Sequence, residues 1–158
     1  MLDRDAEWMR IAIETALVGV AAGQSPYGAC VVRGDTVVAR AHNTVLRDRD
    51  PSAHAEVNAL RAACAALGGI DLSACTIYST CEPCTMCFAC CHWAHLGRIV
   101  YGARVADSAA LGFGELHYPN AELARLARRP VAVVGDVLRD ECLSIFRTWQ
   151  ARGGPETY

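Results

Sequence analysis

The chain has nine cysteines, and five of them are crowded into the eleven residues from Cys81 to Cys91. An odd number of thiols cannot all pair within one chain. The sequence begins Met1-Leu2-Asp3-Arg4-Asp5, with acids where a signal peptide needs basic residues, so we expect a cytoplasmic protein with reduced thiols. Four scattered cysteines have apolar neighbours and are predicted to lie in the core: Cys30, Cys64, Cys75 and Cys142. The crowded five need a chemical explanation.

Length and composition set the size of the fold. The chain has 158 residues, of which 53% are hydrophobic and 20% are charged. This is enough apolar surface for one core and too little length for two, so we expect residues 1–158 to form a single domain. The composition excludes intrinsic disorder, and the apolar run near residues 11–22 is interrupted by Glu14 and does not predict a membrane span.

The charged residues narrow the chemistry. All fifteen basic residues are arginines, and the formal net charge is −2. Without lysine, Schiff-base and pyridoxal chemistry that needs a lysine of the enzyme is impossible. A chain without a global positive field does not favour nucleic acid as a partner, so we expect a small-molecule substrate.

Helix and strand patterns alternate along the chain. The first helix is predicted over about residues 5–22, with a buried face formed by Trp8, Ile11, Ala12, Thr15 and Val18. Further helices are predicted at about residues 54–67, 83–96 and 139–149, with a Gly-rich loop from residue 102 to Pro119. Strands are predicted at residues 29–33, 37–41, 76–79, 98–101 and 131–134. This alternation predicts an α/β fold, a three-layer α/β/α sandwich around a mixed five-stranded sheet.

Two short motifs carry the candidate chemistry. His54-Ala55-Glu56 lies at one predicted helix start, and Pro83-Cys84-Thr85-Met86-Cys87 lies at another. One imidazole and two thiolates are three ligands for zinc, and a site with three protein ligands leaves a position for water. Glu56 is placed to move a proton from that water to a substrate nitrogen. The combination of H-x-E with P-C-x-x-C is the signature of zinc deaminases.

An iron–sulfur cluster is the rival interpretation of the same cysteines. Cys81, Cys84, Cys87 and Cys91 match the spacing of a bacterial cluster-binding run. That run expects proline after its last cysteine, whereas this chain has His92. A cluster protein is brown and a zinc protein is colourless, so colour separates the two.

The sequence resembles the cytidine deaminase superfamily, most closely its branch of bacterial guanine deaminases. The tRNA adenosine deaminases share the metal motifs and are the near competitor. The resemblance covers about residues 26–149, and its markers are Pro26-Tyr27-Gly28-Ala29, Asn43, Asp50-Pro51-Ser52-Ala53-His54-Ala55-Glu56-Val57, Cys81-Glu82-Pro83-Cys84-Thr85-Met86-Cys87, Trp93-Ala94 and Gly112-Phe113.

This resemblance implies a role for each matching residue. It implies one Zn²⁺ per chain, and the ligands it implies are His54, Cys84 and Cys87, with Glu56 as proton shuttle. Asn43 and the backbone N–H of Ala55 are expected to hydrogen-bond the base, and Tyr27 and Trp93 to line its pocket. Glu115 falls where guanine deaminases carry an acid, although many of them have Gly-Phe-Asp-Asp and this chain has Gly112-Phe113-Gly114-Glu115. Tyr158 resembles a C-terminal tyrosine that closes the pocket in some relatives.

The function expected from these observations is hydrolytic deamination of a free nucleobase, with guanine favoured. The alternatives are a cytosine, cytidine or aminotriazine deaminase, a tRNA adenosine deaminase, and a non-enzymatic zinc or iron–sulfur module, which has no need of Glu56. A homodimer is also expected. Relatives in this branch associate, and the predicted zinc helix has more apolar residues than one buried stripe needs, namely Met86, Phe88, Ala89, Cys90 and Trp93.

Overall fold

A mixed sheet of five strands forms the centre of the protein. The computed structural model describes residues 2–116 and 118–158. The strands are β1 (Gly28–Arg33), β2 (Thr36–His42), β3 (Cys75–Cys81), β4 (Arg98–Ala103) and β5 (Ala132–Val134), in the order β2-β1-β3-β4-β5. Strand β1 is antiparallel to β2 and β3, whereas β3, β4 and β5 are parallel. The predicted mixed five-stranded sheet is confirmed.

Helices cover both faces of the sheet. They are α1 (Leu2–Ala21), α2 (Val45–Asp48), α3 (Ala55–Leu67), α4 (Thr85–Trp93), α5 (Val105–Ala110), α6 (Asn120–Leu126) and α7 (Arg139–Ala151). Helices α1 and α7 pack on one side of the sheet, and α3 packs with α4 on the other. Within the described residues, no helix is long and apolar enough to cross a membrane.

The apolar core is divided between the two sides of the sheet. On the α1 and α7 side it includes Met9, Val100 and Trp149, and on the α3 and α4 side it includes Leu60 and Ile77. Strands covered on both faces are apolar at nearly every position, because neither side of the strand meets water. Seven consecutive residues of β3 are accordingly buried or nearly so.

The buried face of α1 differs from the prediction. Its core residues include Met9, Ala12, Ile13 and Ala16, whereas Val18 is 62% exposed. The prediction holds for Ala12 and Thr15, which are buried, and for Trp8 and Ile11, which pack against the core. It is wrong for Val18, because α1 is apolar around much of its circumference and periodicity alone does not define the edge of the buried face.

Two other expectations need correction. Cys64 is half-buried, whereas the other three cysteines predicted for the core are buried. The predicted Gly-rich loop contains α5, and α6, which was not predicted, follows it directly. These short helices are held by contacts to residues distant in sequence, which a local pattern does not reveal.

Asp5 of α1 is tied to the middle of the sheet. The guanidinium of Arg98 donates hydrogen bonds of 2.8 and 2.7 Å to its two carboxylate oxygens, and the Tyr78 hydroxyl donates another of 2.9 Å. These bonds, that from Arg98 foremost, hold the pKa of Asp5 below its usual value although burial opposes the shift. The first helix is therefore fixed to β3 and β4 by a buried carboxylate.

Candidate active site

The residues of the candidate site meet at the carboxyl end of β3. The loop after this strand leads into α4, and the start of α3 lies against it, so the backbone brings together two motifs about thirty residues apart. They border a cavity of about 250 Å³. The edge of a sheet beyond the carboxyl ends of its parallel strands is the usual binding position in open α/β folds.

The three predicted metal ligands face one another. Nδ1 of His54 lies 3.7 Å from Sγ of Cys84 and 3.5 Å from Sγ of Cys87. Tetrahedral zinc with bonds of about 2.0–2.3 Å places its nitrogen and sulfur ligands roughly 3.5 Å apart. The donor set and its spacing therefore fit zinc.

Each ligand occupies the beginning of a helix. His54 is the N-cap of α3 and Cys84 the N-cap of α4, and neither side chain caps its own helix by a hydrogen bond. Cys87 lies in the first turn of α4. The backbone therefore aims all three side chains away from helix capping and toward a common point.

The two thiols differ in their proton affinity. The hydrogen bond from Cys87, with help from His54, lowers the pKa of Cys84 to about 4, so this residue is a thiolate near neutral pH. The same hydrogen bond and burial raise the pKa of Cys87. A dication between the sulfurs favours the thiolate form of both.

Glu56 is buried beside the ligands. The Ser79 hydroxyl donates a hydrogen bond of 2.7 Å to its Oε1, and Sγ of Cys87 lies 3.5 Å from its Oε2. Burial raises the pKa of Glu56, and the group borders the cavity. A carboxyl group whose pKa is moved toward neutrality is suited to accept and return protons.

Asn43 and Tyr158 meet across the cavity. Val45 N–H donates to Oδ1 of Asn43 at 3.1 Å, which leaves Nδ2 to donate to the Tyr158 hydroxyl at 2.8 Å. The tail is fastened further by Gly114 N–H, which donates to the Tyr158 carbonyl at 2.9 Å. Tyr158 therefore lies over the cavity of its own chain.

Glu115 and Tyr27 also border the cavity and share a bridging residue. The Ser108 hydroxyl lies 2.7 Å from Oε1 of Glu115 and 2.6 Å from the Tyr27 hydroxyl. The Tyr27 ring makes edge contacts with Phe113 and Phe146, at centroid distances of 5.2 and 5.8 Å. Tyr27 is thus a fixed wall of the cavity.

Ala55 and Trp93 complete the predicted set, with opposite outcomes. Ala55 is the first residue of α3, so its N–H has no acceptor within the helix and lies next to His54. Trp93, at the last residue of α4, is about 12 Å along the helix axis from its start. Its side chain is 77% exposed and does not border the cavity, so the expectation that it lines the pocket does not hold within one chain.

Sequence reasoning missed three supporting residues, Ser79, Ser108 and Glu82. The two oxygens of Glu82 accept hydrogen bonds from the N–H groups of Val105 at 3.2 Å and Asn120 at 2.7 Å. Glu82 therefore ties α5 and α6 to the loop that carries Cys84. Its place in Cys81-Glu82-Pro83-Cys84 was the only local signal, since its partners lie 23 and 38 residues away.

The iron–sulfur interpretation gains no support from this geometry. Among the described residues, one group of three potential metal ligands has its donor atoms within 4.8 Å of one another, and it comprises His54, Cys84 and Cys87. Sγ of Cys81 instead faces the Arg104 carbonyl at 3.5 Å. The arrangement is that of a mononuclear centre.

A His/Cys/Cys metal centre beside a buried glutamate, on an α/β/α fold, defines the class of zinc-dependent hydrolytic deaminases. The chain belongs to the family of the cytidine and deoxycytidylate deaminase zinc-binding region, which matches residues 2–103. Its cofactor is zinc.

Full-length relatives agree with this assignment. The chain is 34% identical to guanine deaminase of Bacillus subtilis (strain 168), covering 96% of this chain and 97% of that protein. It is 29% identical to a tRNA-specific adenosine deaminase of Buchnera aphidicola subsp. Baizongia pistaciae (strain Bp), covering 96% and 91%. The solved structure of guanine deaminase from Nitrosomonas europaea has a TM-score of 0.85 at 32% identity, covering 92% of this chain and 84% of that one.

Proposed function

We propose that this chain deaminates free guanine, with water as co-substrate and with xanthine and ammonia as products. The observation that carries the proposal is the full-length similarity to guanine deaminases, combined with a small cavity that holds an acid in addition to Glu56. The cavity volume of about 250 Å³ is below the roughly 300–1,000 Å³ of sites for drug-sized ligands, which suits a single base.

The metal set and Glu56 provide the hydrolytic half of the reaction. His54, Cys84 and Cys87 hold zinc, which, when bound, makes a water molecule acidic enough to act as nucleophile. Glu56 takes the proton of that water and delivers it to the departing amine, while Ser79 keeps the Glu56 carboxylate in place. The buried position of Glu56 keeps bulk water from competing for the proton.

The remaining cavity residues orient the base. The amide of Asn43 has its Oδ1 occupied by Val45 and one N–H of Nδ2 donated to Tyr158, so the second N–H of Nδ2 is the donor for a base acceptor. Ala55 N–H is a second donor, and Glu115 is an acceptor for a base N–H. Tyr158 covers the ring, and this mixture of donors and an acceptor matches the alternating edge of guanine.

The test is a screen of ammonia release from guanine, cytosine, adenine, an aminotriazine, cytidine and a tRNA anticodon stem. Guanine should be the fastest substrate. Faster release from any other member would overturn the substrate assignment while leaving the deaminase class intact. No release from any of them would contradict the activity itself.

Deamination of tRNA adenosine is the second candidate, because a tRNA-specific adenosine deaminase is similar over 96% of this chain. The net charge of −2 disfavours a polyanionic substrate. The Tyr158 tail over the cavity disfavours a bulky one.

We also propose that residues 1–158 form one catalytic domain that acts as a cytoplasmic homodimer. Support for the dimer comes from large apolar side chains left exposed around the cavity mouth and along α4 and α6, namely Met86, Trp93, Leu116 and Leu126. The cytoplasmic location is supported by the nine free cysteines, which fit a reducing compartment. Light scattering should give twice the chain mass of 17.0 kDa, and a single-chain mass would refute the dimer.

A further inference from the structure

Ser108 is a fully buried residue directly behind two residues that line the active-site cavity, Tyr27 and Glu115. It lies on α5 and is 0% exposed. Its Oγ is 2.7 Å from Oε1 of Glu115 and 2.6 Å from the hydroxyl of Tyr27. No motif in the sequence marks it, because its two partners lie 7 and 81 residues away.

The direction of these hydrogen bonds follows from the chemistry of the groups. An ionised carboxylate can only accept, so the single hydroxyl proton of Ser108 is donated to Glu115. The Ser108 oxygen is then an acceptor, and Tyr27 must donate to it. The result is a chain of hydrogen bonds in one direction, from Tyr27 through Ser108 to Glu115.

Glu115 depends on its surroundings for orientation. It follows Gly112, Phe113 and Gly114 in a segment without helix or strand, and Gly112 has a φ of 102°. A glutamate on an irregular segment has several rotamers available, whereas Ser108 is held in a helix that is anchored by the hydrogen bond of 3.2 Å from the N–H of Val105 to the buried Glu82. The rigid element therefore sets the direction of the carboxylate on the irregular one.

We propose that Ser108 is the positioning residue for Glu115, and that its hydroxyl, held in turn by Tyr27, aims this carboxylate at an N–H of the bound base. The proposal rests on the proposed function, because it assigns Glu115 the role of base acceptor. Ser108 does not touch the base, so its effect on catalysis passes entirely through Glu115.

Because Ser108 is proposed to act only through Glu115, a double-mutant cycle of the two residues tests its role. Ser108→Ala should lower kcat/KM for guanine by about 10- to 100-fold, since a small misplacement of a substrate-contacting group has effects of this order. In a Glu115→Ala background, the same Ser108→Ala change should alter kcat/KM by less than about twofold, because there is no carboxylate left to orient. Single-turnover assays with enzyme in excess provide the sensitivity needed for that background.

A structural role for Ser108 predicts a different result. If the hydroxyl only satisfies a buried partner, Ser108→Ala lowers stability and lowers kcat/KM by the same factor in both backgrounds, which would overturn the proposal. Zinc content and thermal unfolding are measured for each variant. Ser144→Ala, a serine on α7 whose hydroxyl bonds only within that helix, is the matched control and should leave kcat/KM unchanged.

Tyr27→Phe is the second variant, for the case in which Ser108→Ala does not fold. It removes only the far hydroxyl, so the loss in kcat/KM should be smaller than that expected for Ser108→Ala, and it too should vanish in the Glu115→Ala background. Equal losses in both backgrounds would again reject the positioning role. If the wild-type chain releases no ammonia from guanine, the proposed function fails and the role of Ser108 fails with it. If the wild type does turn over guanine but Ser108→Ala lowers kcat/KM equally with and without Glu115, only the role of Ser108 is overturned.

Discussion

At the scale of single residues, the chemistry of the site depends on how each polar group is held. Glu56 is buried and has a hydroxyl donor on one oxygen, and burial raises its pKa toward the range in which protons are exchanged. Asn43 has its amide oriented by a backbone N–H. These contacts fix the orientation of each polar group, which the proposed chemistry requires.

Replacement of the shuttle tests that role directly. Glu56→Gln should lower kcat by about 10² to 10⁴, because the amide is similar in size to the carboxyl group but cannot carry the proton. Zinc should remain bound, since Glu56 is not assigned as a ligand. Steady-state assays and elemental analysis of the purified variant measure the two effects, and loss of zinc or full activity would contradict the assignment.

Local motifs made the metal ligands and Glu56 predictable from sequence. Helix-start spacing and the chemistry of His54, Cys84 and Cys87 were sufficient to place them together. Ser108 and Glu82 were not predictable, because each acts through partners that only the folded chain brings near. The resemblance to relatives predicted Trp93 in the pocket, and only the length of α4 shows how far it lies from the ligands within one chain.

At the scale of elements, helices and strands were predictable where glycines and apolar runs mark their ends. All five strands were expected within a few residues of their observed bounds. The buried face of α1 was predictable only in part, because the helix is apolar around much of its circumference, and Val18 proved to be exposed. The carboxylate of Asp5, bonded to Arg98 and Tyr78 across the sheet, adds a contact to α1 that the helical pattern does not reveal.

The same carboxylate makes the stability of the protein depend on pH. Because the pKa of Asp5 is lower in the folded chain than in the unfolded one, its contribution is complete above about pH 4 and is lost as the pH falls through the folded-state pKa. Asp5→Asn should lower the free energy of unfolding at pH 7 by about 1.5–3 kcal/mol, with less dependence on pH below 4. Urea unfolding of the wild type and of Asp5→Asn, at pH 7 and at a pH below 4, measures this change.

Glu7→Gln is the matched control for that experiment. Glu7 is an exposed acid on the same helix, so its replacement should change the free energy of unfolding by no more than about 0.5 kcal/mol. Equal effects of the two substitutions would mean that Asp5 contributes nothing beyond its charge.

At the scale of the whole molecule, the first helix and the last residues both pack back onto the domain. Helix α1 supports the sheet, and the last residues return from α7 to the cavity. The return requires Gly153 and Gly154, which have φ of 96° and 42°, values that disfavour other residues. The tail then lies with Tyr158 between Asn43 and Phe113.

Removal of the tail should weaken catalysis without unfolding the protein. A chain truncated after Arg152 should show a KM for guanine raised about tenfold or more and a similar melting temperature, because the tail covers the cavity but contributes little to the core. Tyr158→Phe, which loses only the hydroxyl bonded to Asn43, should have a smaller effect. An unchanged KM after truncation would show that the tail does not act as a lid.

The meeting of Gly114 and Tyr158 over the cavity has an evolutionary consequence. The zinc ligands and Glu56 lie within residues 2–103, the part matched by the family, whereas Glu115 and Tyr158 lie after it. Substitutions in the last third of the chain can therefore change which base is accepted without disturbing how its amine is removed. A lineage with this architecture can therefore acquire new substrates through the proposed base contacts at Glu115 and Tyr158, while the hydrolytic centre and the proposed contacts from Asn43 and Ala55 are inherited unaltered.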